Sequence, residues 1–378
     1  MSVGFSGEYD DNVNSTSTNR QGSFRGGVVA GLQANIPRER TFFRMRYNYA
    51  ATYTPDYPAS TTNAHHNATD SKLDQAHIFD GLVSHTFSPR LVLNVSDALR
   101  RAVEPGYVDV DLTRNVQIQR RGDYLFNLAS TDLDYKLSRR WTATLRGSWE
   151  LWRYDEPTIA TNNDRDIYTG ALDVTYAVTP RTFTGVGYQH STQTYDNPGS
   201  NDTRNSQSDI AYVSLNHAFN PQLSANSTAG IQLEEFGDGT KDTAPSVSAS
   251  INYNYSRDAI ASIGFRYSIA ATEVGAFRST EAATTFARLS YKFTPKFGAS
   301  ANGLYSLSTF QNPVPGAFAP GSTIPHDESI YSLGLNLNYN FTRWCRGSLN
   351  YNYDHVISDV ADRNLVRNRG GLTLTLFY

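Results

Sequence analysis

The sequence predicts an all-β chain: one transmembrane, up-and-down antiparallel β-barrel over residues 1–378, with about eighteen strands (sixteen being the alternative count). Three observations predict it. The first is strict alternation. From Ser329 to Phe341, Tyr331, Leu333, Leu335, Leu337, Tyr339 and Phe341 fall on one face, and Ser332, Gly334, Asn336, Asn338 and Asn340 on the other. Successive side chains of a strand point to opposite faces, so this strand has one apolar and one polar side. The pattern resumes after Thr342-Arg343, with Cys345, Gly347, Leu349, Tyr351 and Tyr353 on one face. Each run is long enough to cross a bilayer as a tilted strand, which takes roughly 9–11 residues.

The second observation is a repeating tight turn: Phe87-Ser88-Pro89-Arg90, Leu137-Ser138-Arg139-Arg140, Val178-Thr179-Pro180-Arg181, Phe219-Asn220-Pro221-Gln222, Tyr255-Ser256-Arg257-Asp258, Phe293-Thr294-Pro295-Lys296 and Phe341-Thr342-Arg343-Trp344. Ser, Thr or Asn bonds its own backbone there, and Pro presets φ. The turns recur roughly every 40 residues; a propeller blade would need four short strands in that span, and only two long ones fit. The third is composition. Hydrophobic residues make up only 39% of the chain while aromatics reach 12%, with 24 Tyr. A soluble sandwich would use shorter strands around a Leu/Val/Ile core.

Other totals exclude function classes. No run of 18 apolar residues exists, so no helical span is expected, and the mean hydropathy of -0.48 suits half-polar strands. A net charge of -3 gives no support to nucleic-acid binding. The single cysteine, Cys345, allows no internal disulfide and is expected to behave as a small hydrophobe on the outer face. Met1-Ser2-Val3-Gly4-Phe5 opens directly on a strand pattern, so a mature form without a signal peptide is expected.

In chain order, Val3, Phe5, Gly7 and Tyr9 mark a short first strand, followed by a polar loop to about Gly22. Val28 to Ile36 and Phe43 to Tyr53 alternate as the second and third strands. A long loop with His65-His66 follows. Beyond it, longer polar loops at about 103–121, 156–165, 196–207, 236–243, 273–279, 312–326 and 358–368 separate the tight turns. Short turns at one end and long loops at the other are the asymmetry of outer-membrane barrels, with the short end periplasmic and the long end extracellular. Aromatics crowd the strand ends: Phe87, Tyr135, Tyr176, Phe219, Tyr255, Phe293 and Phe341 are the expected interface girdle. His85 and His217, two residues before Phe87 and Phe219, are expected in the same belt. The last strand, Leu372 to Tyr378, ends on an aromatic and resembles the signal read by the outer-membrane assembly machinery.

Inward positions by parity include Arg44, Arg46, Asp132, Asp134, Arg146, Asp173, Glu234, Arg266, Arg288, Lys292, Asn336, Asn338, Arg346 and Asp354. These are the lumen-lining candidates: a mixed-sign wall, with Asn, Ser and Gln as neutral donors and acceptors suited to sugar hydroxyls. The proline-rich loop with Pro313, Pro315, Phe318 and Pro320 is the candidate constriction. The loop at 103–121 is expected to extend two strands beyond the membrane. Neither a catalytic constellation nor a metal site emerges. The histidines are scattered, and no Ser/His/Asp spacing stands out. His65-His66 lacks further ligands, and Asp164/Asp166 and Asp196/Asn197/Asp202 read as solvated loops before they read as Ca²⁺ sites that bridge lipopolysaccharide. No cofactor is expected.

Tyr9-Asp10-Asp11-Asn12-Val13 resembles the opening motif of a family of bacterial outer-membrane β-barrel porins associated with exopolysaccharide operons. Gly-Asp-Tyr at 122–124, the Ser-Pro-Arg and Thr-Pro-Arg turns and the aromatic C-terminus carry the same resemblance. It implies a Gram-negative outer-membrane pore beside a polysaccharide export complex, in contact with lipopolysaccharide, and supplies no catalytic residues. The expected function is therefore passive passage, of secreted exopolysaccharide or of small hydrophilic solutes. The rivals are a barrel that encloses or anchors a partner such as a cytochrome or adhesin, and an outer-membrane barrel enzyme.

Overall fold

The structure, a computed structural model, describes residues 1–13, 15–56, 72–103, 123–196, 202–256, 258–272, 274–318, 324–361 and 363–378. The loops at 57–71, with His65 and His66, and at 104–122 lie outside the described residues, as do Asn197, Arg257 and Pro320.

Eighteen strands run through the described residues. They are β1 Ser2–Asp10, β2 Ser23–Pro37, β3 Thr41–Tyr53, β4 Leu73–Ser88, β5 Leu91–Ala102, β6 Tyr124–Lys136, β7 Trp141–Tyr154, β8 Arg165–Thr179 and β9 Thr182–Tyr195. They continue as β10 Ser206–Ala218, β11 Leu223–Phe236, β12 Lys241–Ser256, β13 Ala259–Ala271, β14 Phe277–Lys292, β15 Phe297–Pro313, β16 Asp327–Thr342, β17 Cys345–Ser358 and β18 Leu365–Phe377. Each pairs antiparallel with its chain neighbours, and β1 pairs with β18 from Ser2↔Phe377 to Asp10↔Arg369, so the sheet closes into a barrel. The Met1 ammonium donates to the Tyr378 carbonyl at 3.2 Å, which puts both termini at the short-turn end.

The turns work as their composition predicts. The backbone N–H two residues on donates to the turn Ser, Thr or Asn side chain in every one: Arg90 to Ser88, Arg140 to Ser138, Arg181 to Thr179, Gln222 to Asn220, Asp258 to Ser256, Lys296 to Thr294 and Trp344 to Thr342, all at 2.8–3.2 Å. Alternation also holds. Leu333, Leu335 and Leu337 are exposed on the outer wall, and Ser332 opposite them in parity is buried. Phe87, Tyr135, Phe219, Tyr255, Phe293 and Phe341 are exposed at the short-turn rim, and Tyr176 there accepts from Arg140 at 3.0 Å. His85 and His217 repeat one device: each ring meets the rim Phe two residues on, and its Nδ1 bonds a threonine hydroxyl on the preceding strand. Among the described residues no helix is long and apolar enough to cross a membrane.

Among the stretches that depart from the sequence reading, two bear on the mouth. Within 156–165, read as a polar loop, Pro157–Asn163 forms a helix, α1, entered through Pro157. Its Ile159 is buried among Ala102, Tyr124, Phe126 and Tyr154. These aromatics stand on the inner face, so α1 lies inside the mouth. In 273–279, Phe277, Arg278 and Ser279 are already strand and are buried.

Candidate functional site

Cross-strand register puts every lumen-lining candidate on the face opposite Leu333, Leu335 and Leu337. Arg44 and Arg46 stand opposite Leu82 and Asp80; Arg266 opposite Ser248 and Thr284; Arg288 opposite Ser262 and Asn302; Asn336 opposite Ser300 and Asn350. Arg346 Nε donates to Asn340 at 2.8 Å, Asn338 accepts from Ser348 at 2.7 Å, Glu234 accepts from Ser206 at 2.8 Å, and Lys292 reaches Asp258 at 3.7 Å.

One row of this wall is continuous. Asp132 of β6 stands beside Arg146 of β7, which ion-pairs Asp173 of β8 at 2.5 Å. Asp173, Gly187 and Tyr212 then occupy one register row across β8, β9 and β10. A Cβ at Gly187 would fall 2.3 Å from the Tyr212 ring, so only glycine lets that ring lie flat over β9. The Tyr212 hydroxyl thereby donates to Asp173 at 2.6 Å. Asp134 accepts from Thr144 at 2.7 Å just below. Two carboxylates thus flank one guanidinium whose side chain is 49% exposed, a charge-bearing strip that faces water.

A second cluster lies at the long-loop end of the seam. Asp10 is fully buried and accepts from Arg367 Nε at 3.1 Å, from Arg25 at 3.4 Å and from the Asn12 N–H at 3.0 Å. Asp11 accepts from the Asn368 N–H and side-chain amide, both at 2.7 Å. Asn12 donates to the Val366 and Thr16 carbonyls at 3.0 and 2.8 Å. Tyr9 points outward, its ring 5.0 Å from Phe24. The Tyr-Asp-Asp-Asn motif is therefore a clasp that ties the β1–β2 loop to the last strand. Asp354 joins the belt through Arg369 at 2.8 Å and Ser332 at 2.7 Å, and Glu328 through Arg363 at 2.6 Å.

The third arrangement spans the mouth. The β12–β13 ladder ends at Val247↔Tyr267, although β12 continues beside β11 to Lys241 and β13 beside β14 to Ala271. Pro245, which brings no N–H to a ladder, sits two residues beyond that point. Above it the β13–β14 hairpin leaves β12. The Gln232 amide of β11 reaches past β12 and pairs with the Ile269 backbone in both directions, at 3.1 and 3.3 Å. Arg278 ion-pairs Asp238 of the β11–β12 loop. Arg204, in a 3-10 turn after β9, is fully buried. It donates to the Asn162 carbonyl at 2.6 Å, the Thr272 carbonyl at 2.5 Å and the Tyr195 hydroxyl at 3.1 Å. A Cβ at Gly275 would meet Asn162 Oδ1 at 2.9 Å, so the hairpin tip touches α1 directly.

Pro313 and Pro315 are exposed beside this hairpin, and the Phe318 ring lies 5.4 Å from Phe277. The segment that meets α1 is thus the β13–β14 hairpin, and the proline-rich loop runs beside it, with Pro313 paired to Phe277. The signal for the bridge was Pro245 within a strand. Leu304, Ile330, Val356 and Leu365 form a buried cluster on the inner face. Among the described residues no group of three or more His, Cys, Asp or Glu stands ready for a metal.

The wall, apolar outside and polar within, defines the class: a membrane-spanning barrel. No protein-family model matches the chain, and no curated protein matches it. Among solved structures it is similar to OccAB3 of Acinetobacter baumannii, with 12% identity over 99% of this chain and 98% of that one and a TM-score of 0.48. It is similar to OccK2 (OpdF) of Pseudomonas aeruginosa, solved in complex with glucuronate, with 9% identity, 99% and 97% coverage and a TM-score of 0.49. The siderophore receptor PirA of Pseudomonas aeruginosa gives 10% identity, 99% and 80% coverage and 0.45. The likeness is one of fold alone.

Proposed function

We propose that this chain is an outer-membrane pore that passes hydrophilic solutes passively, with its short turns in the periplasm and its long loops outside. The observation that carries the reading is a closed barrel whose outer wall is apolar and whose inner register is charged, amide and hydroxyl. At about eighteen strands such a wall encloses more space than its own side chains fill. Reconstituted protein is expected to give discrete conductance steps in planar bilayers and to let sugar-loaded liposomes swell. Zero conductance in every preparation removes the pore.

Secreted exopolysaccharide is the cargo this reading favours. The support is the neutral face of Asn336, Asn338, Asn350 and Asn352, whose amides both donate and accept. Deleting the gene in its host should leave polymer in the periplasm; normal export in the deletion strain leaves only small solutes as cargo. The same reading takes Leu372 to Tyr378 as the handle for barrel assembly and lipopolysaccharide as the outer-leaflet neighbour.

A further inference from the structure

We propose that Arg204 sets the size limit of this conduit, because it ties the β13–β14 hairpin to the β7–β8 and β9–β10 connections across the mouth. The inference rests on the pore reading.

The strand order supplies the scale. At about 4.8 Å between strands and a tilt of about 40°, eighteen strands close at a backbone radius of roughly 18 Å. The connections after β7 and after β13 are six strand steps apart, a third of the circle. On the wall that is a chord of roughly 30 Å, yet Gly275 and Asn162 are in contact. Elements so far apart on the rim meet only by leaning over the lumen, so the contact lies across the path of anything that enters.

Arg204 is the joint of this bridge. Its guanidinium reaches one carbonyl on α1, one on the β13–β14 connection and the Tyr195 hydroxyl on its own side, and lies 4.3 Å from the Tyr195 ring centre. A planar fork of five N–H donors holds such divergent acceptors at once; an ammonium does not. Two of the acceptors are backbone, so the tie depends on the arginine and not on the side chains at 162 and 272. The hairpin is already off the β12 ladder above Val247 and Tyr267, and both strands run on past that pair. Loss of Arg204 therefore frees the hairpin from α1 and the β9–β10 connection and leaves the Gln232 pair with Ile269 and the Arg278–Asp238 ion pair, both toward β11, to hold it, so the far side of the mouth opens.

The experiment uses the full chain in a C345S background, in liposomes and planar bilayers, with a sugar series from mono- to hexasaccharide. R204A is expected to raise single-channel conductance about twofold or more and to admit at least the next larger sugar. A second pair of substitutions replaces the tie with a covalent one. A Cβ at Gly275 would sit 3.5 Å from Asn162 Cβ, within the roughly 3.5–4.5 Å that a disulfide spans. In R204A, N162C and G275C are expected to restore the parental cutoff when oxidised and to lose it again on reduction. A folded R204A with the parental cutoff, or a formed disulfide that restores nothing, overturns the inference while the pore stands. Absence of conductance in the parent, in R204A and in the reduced pair removes the pore itself and this inference with it. If R204A does not fold, R204K replaces it: a widened cutoff supports the tie and an unchanged one overturns it.

Discussion

Removing the Arg367 guanidinium tests whether the Asp10 clasp holds the barrel seam. Asp10 and Arg367 are 0% and 1% exposed and belong to β1 and β18, the strands that close the sheet. Removing one partner of a buried ion pair typically costs about 3–5 kcal/mol, because the survivor is left charged in a poor solvent. Here Asp10 would retain Arg25 at 3.4 Å and the Asn12 N–H at 3.0 Å, so the expected loss for Arg367→Ala is near the lower bound, about 3 kcal/mol. Denaturant unfolding in lipid vesicles, followed by tryptophan fluorescence, reads it. Arg367→Met combined with Asp10→Leu separates charge from packing. Replacing both members by apolar residues is close to neutral when burial is the issue, so the double variant should recover most of the loss. A change under about 1 kcal/mol in Arg367→Ala, or a double variant worse than the single, refutes the clasp as a stabilising element.

Parity, charge and pH each give a further test. Leu335→Arg, near the middle of the outer face of β16, should cost about 2–4 kcal/mol, whereas Asn336→Arg next to it should leave stability nearly unchanged; equal losses would mean the two faces are misassigned. Arg146→Gln leaves Asp132 and Asp173 without their shared cation, so the reversal potential in asymmetric KCl should shift toward cation selectivity; an unchanged potential removes this strip from the conduction path. Asp164, between α1 and β8, has its carboxyl pKa raised by burial, against the Tyr154 N–H and Arg153, which favour the charged form. A raised folded-state value means that ionised Asp164 costs stability above it, and that the cost fades as pH falls through the carboxylate range. Asp164→Asn should therefore stabilise at about pH 8 and do nothing at about pH 3; the same gain at both values refutes the assignment.

The barrel was legible because two solvents impose two faces. Leu333, Leu335 and Leu337 must meet hydrocarbon, and a slip of one residue would send them all inward, so alternation fixes each strand. The turns were legible because Ser88, Thr179 and Asn220 do their work within two residues of themselves. The bridge was not, because its contacts join residues 162, 204, 232, 269 and 272, which lie on different connections and strands. Nothing local distinguishes Arg204 or Arg367 from a solvated loop arginine; burial of each comes from elements that arrive from elsewhere in the chain. Ile330 and Val356 could have served as a warning that the inner face is covered near β16 and β17. Parity placed them inward, and an apolar side chain on a wet wall implies a cover.

The clasp also decides what the Tyr9 to Asn12 motif can say. Each of its polar members is engaged locally: Asp10 by Arg367 and Arg25, Asp11 by Asn368, Asn12 by the Val366 and Thr16 carbonyls. Asp10 and Asn12 are fully buried and cannot touch a solute. The motif therefore reports how a first strand is locked to a last one, a problem every closed barrel with an inward-tied loop must solve whatever crosses it. Cargo has to be read elsewhere, in the exposed guanidinium of Arg146 between its carboxylates and in the width that Arg204 leaves at the mouth. A polymer chain and a monosaccharide would meet the same strip but not the same width. The cutoff of the parental pore against that of R204A is thus the measurement on which the polysaccharide reading and the small-solute reading divide.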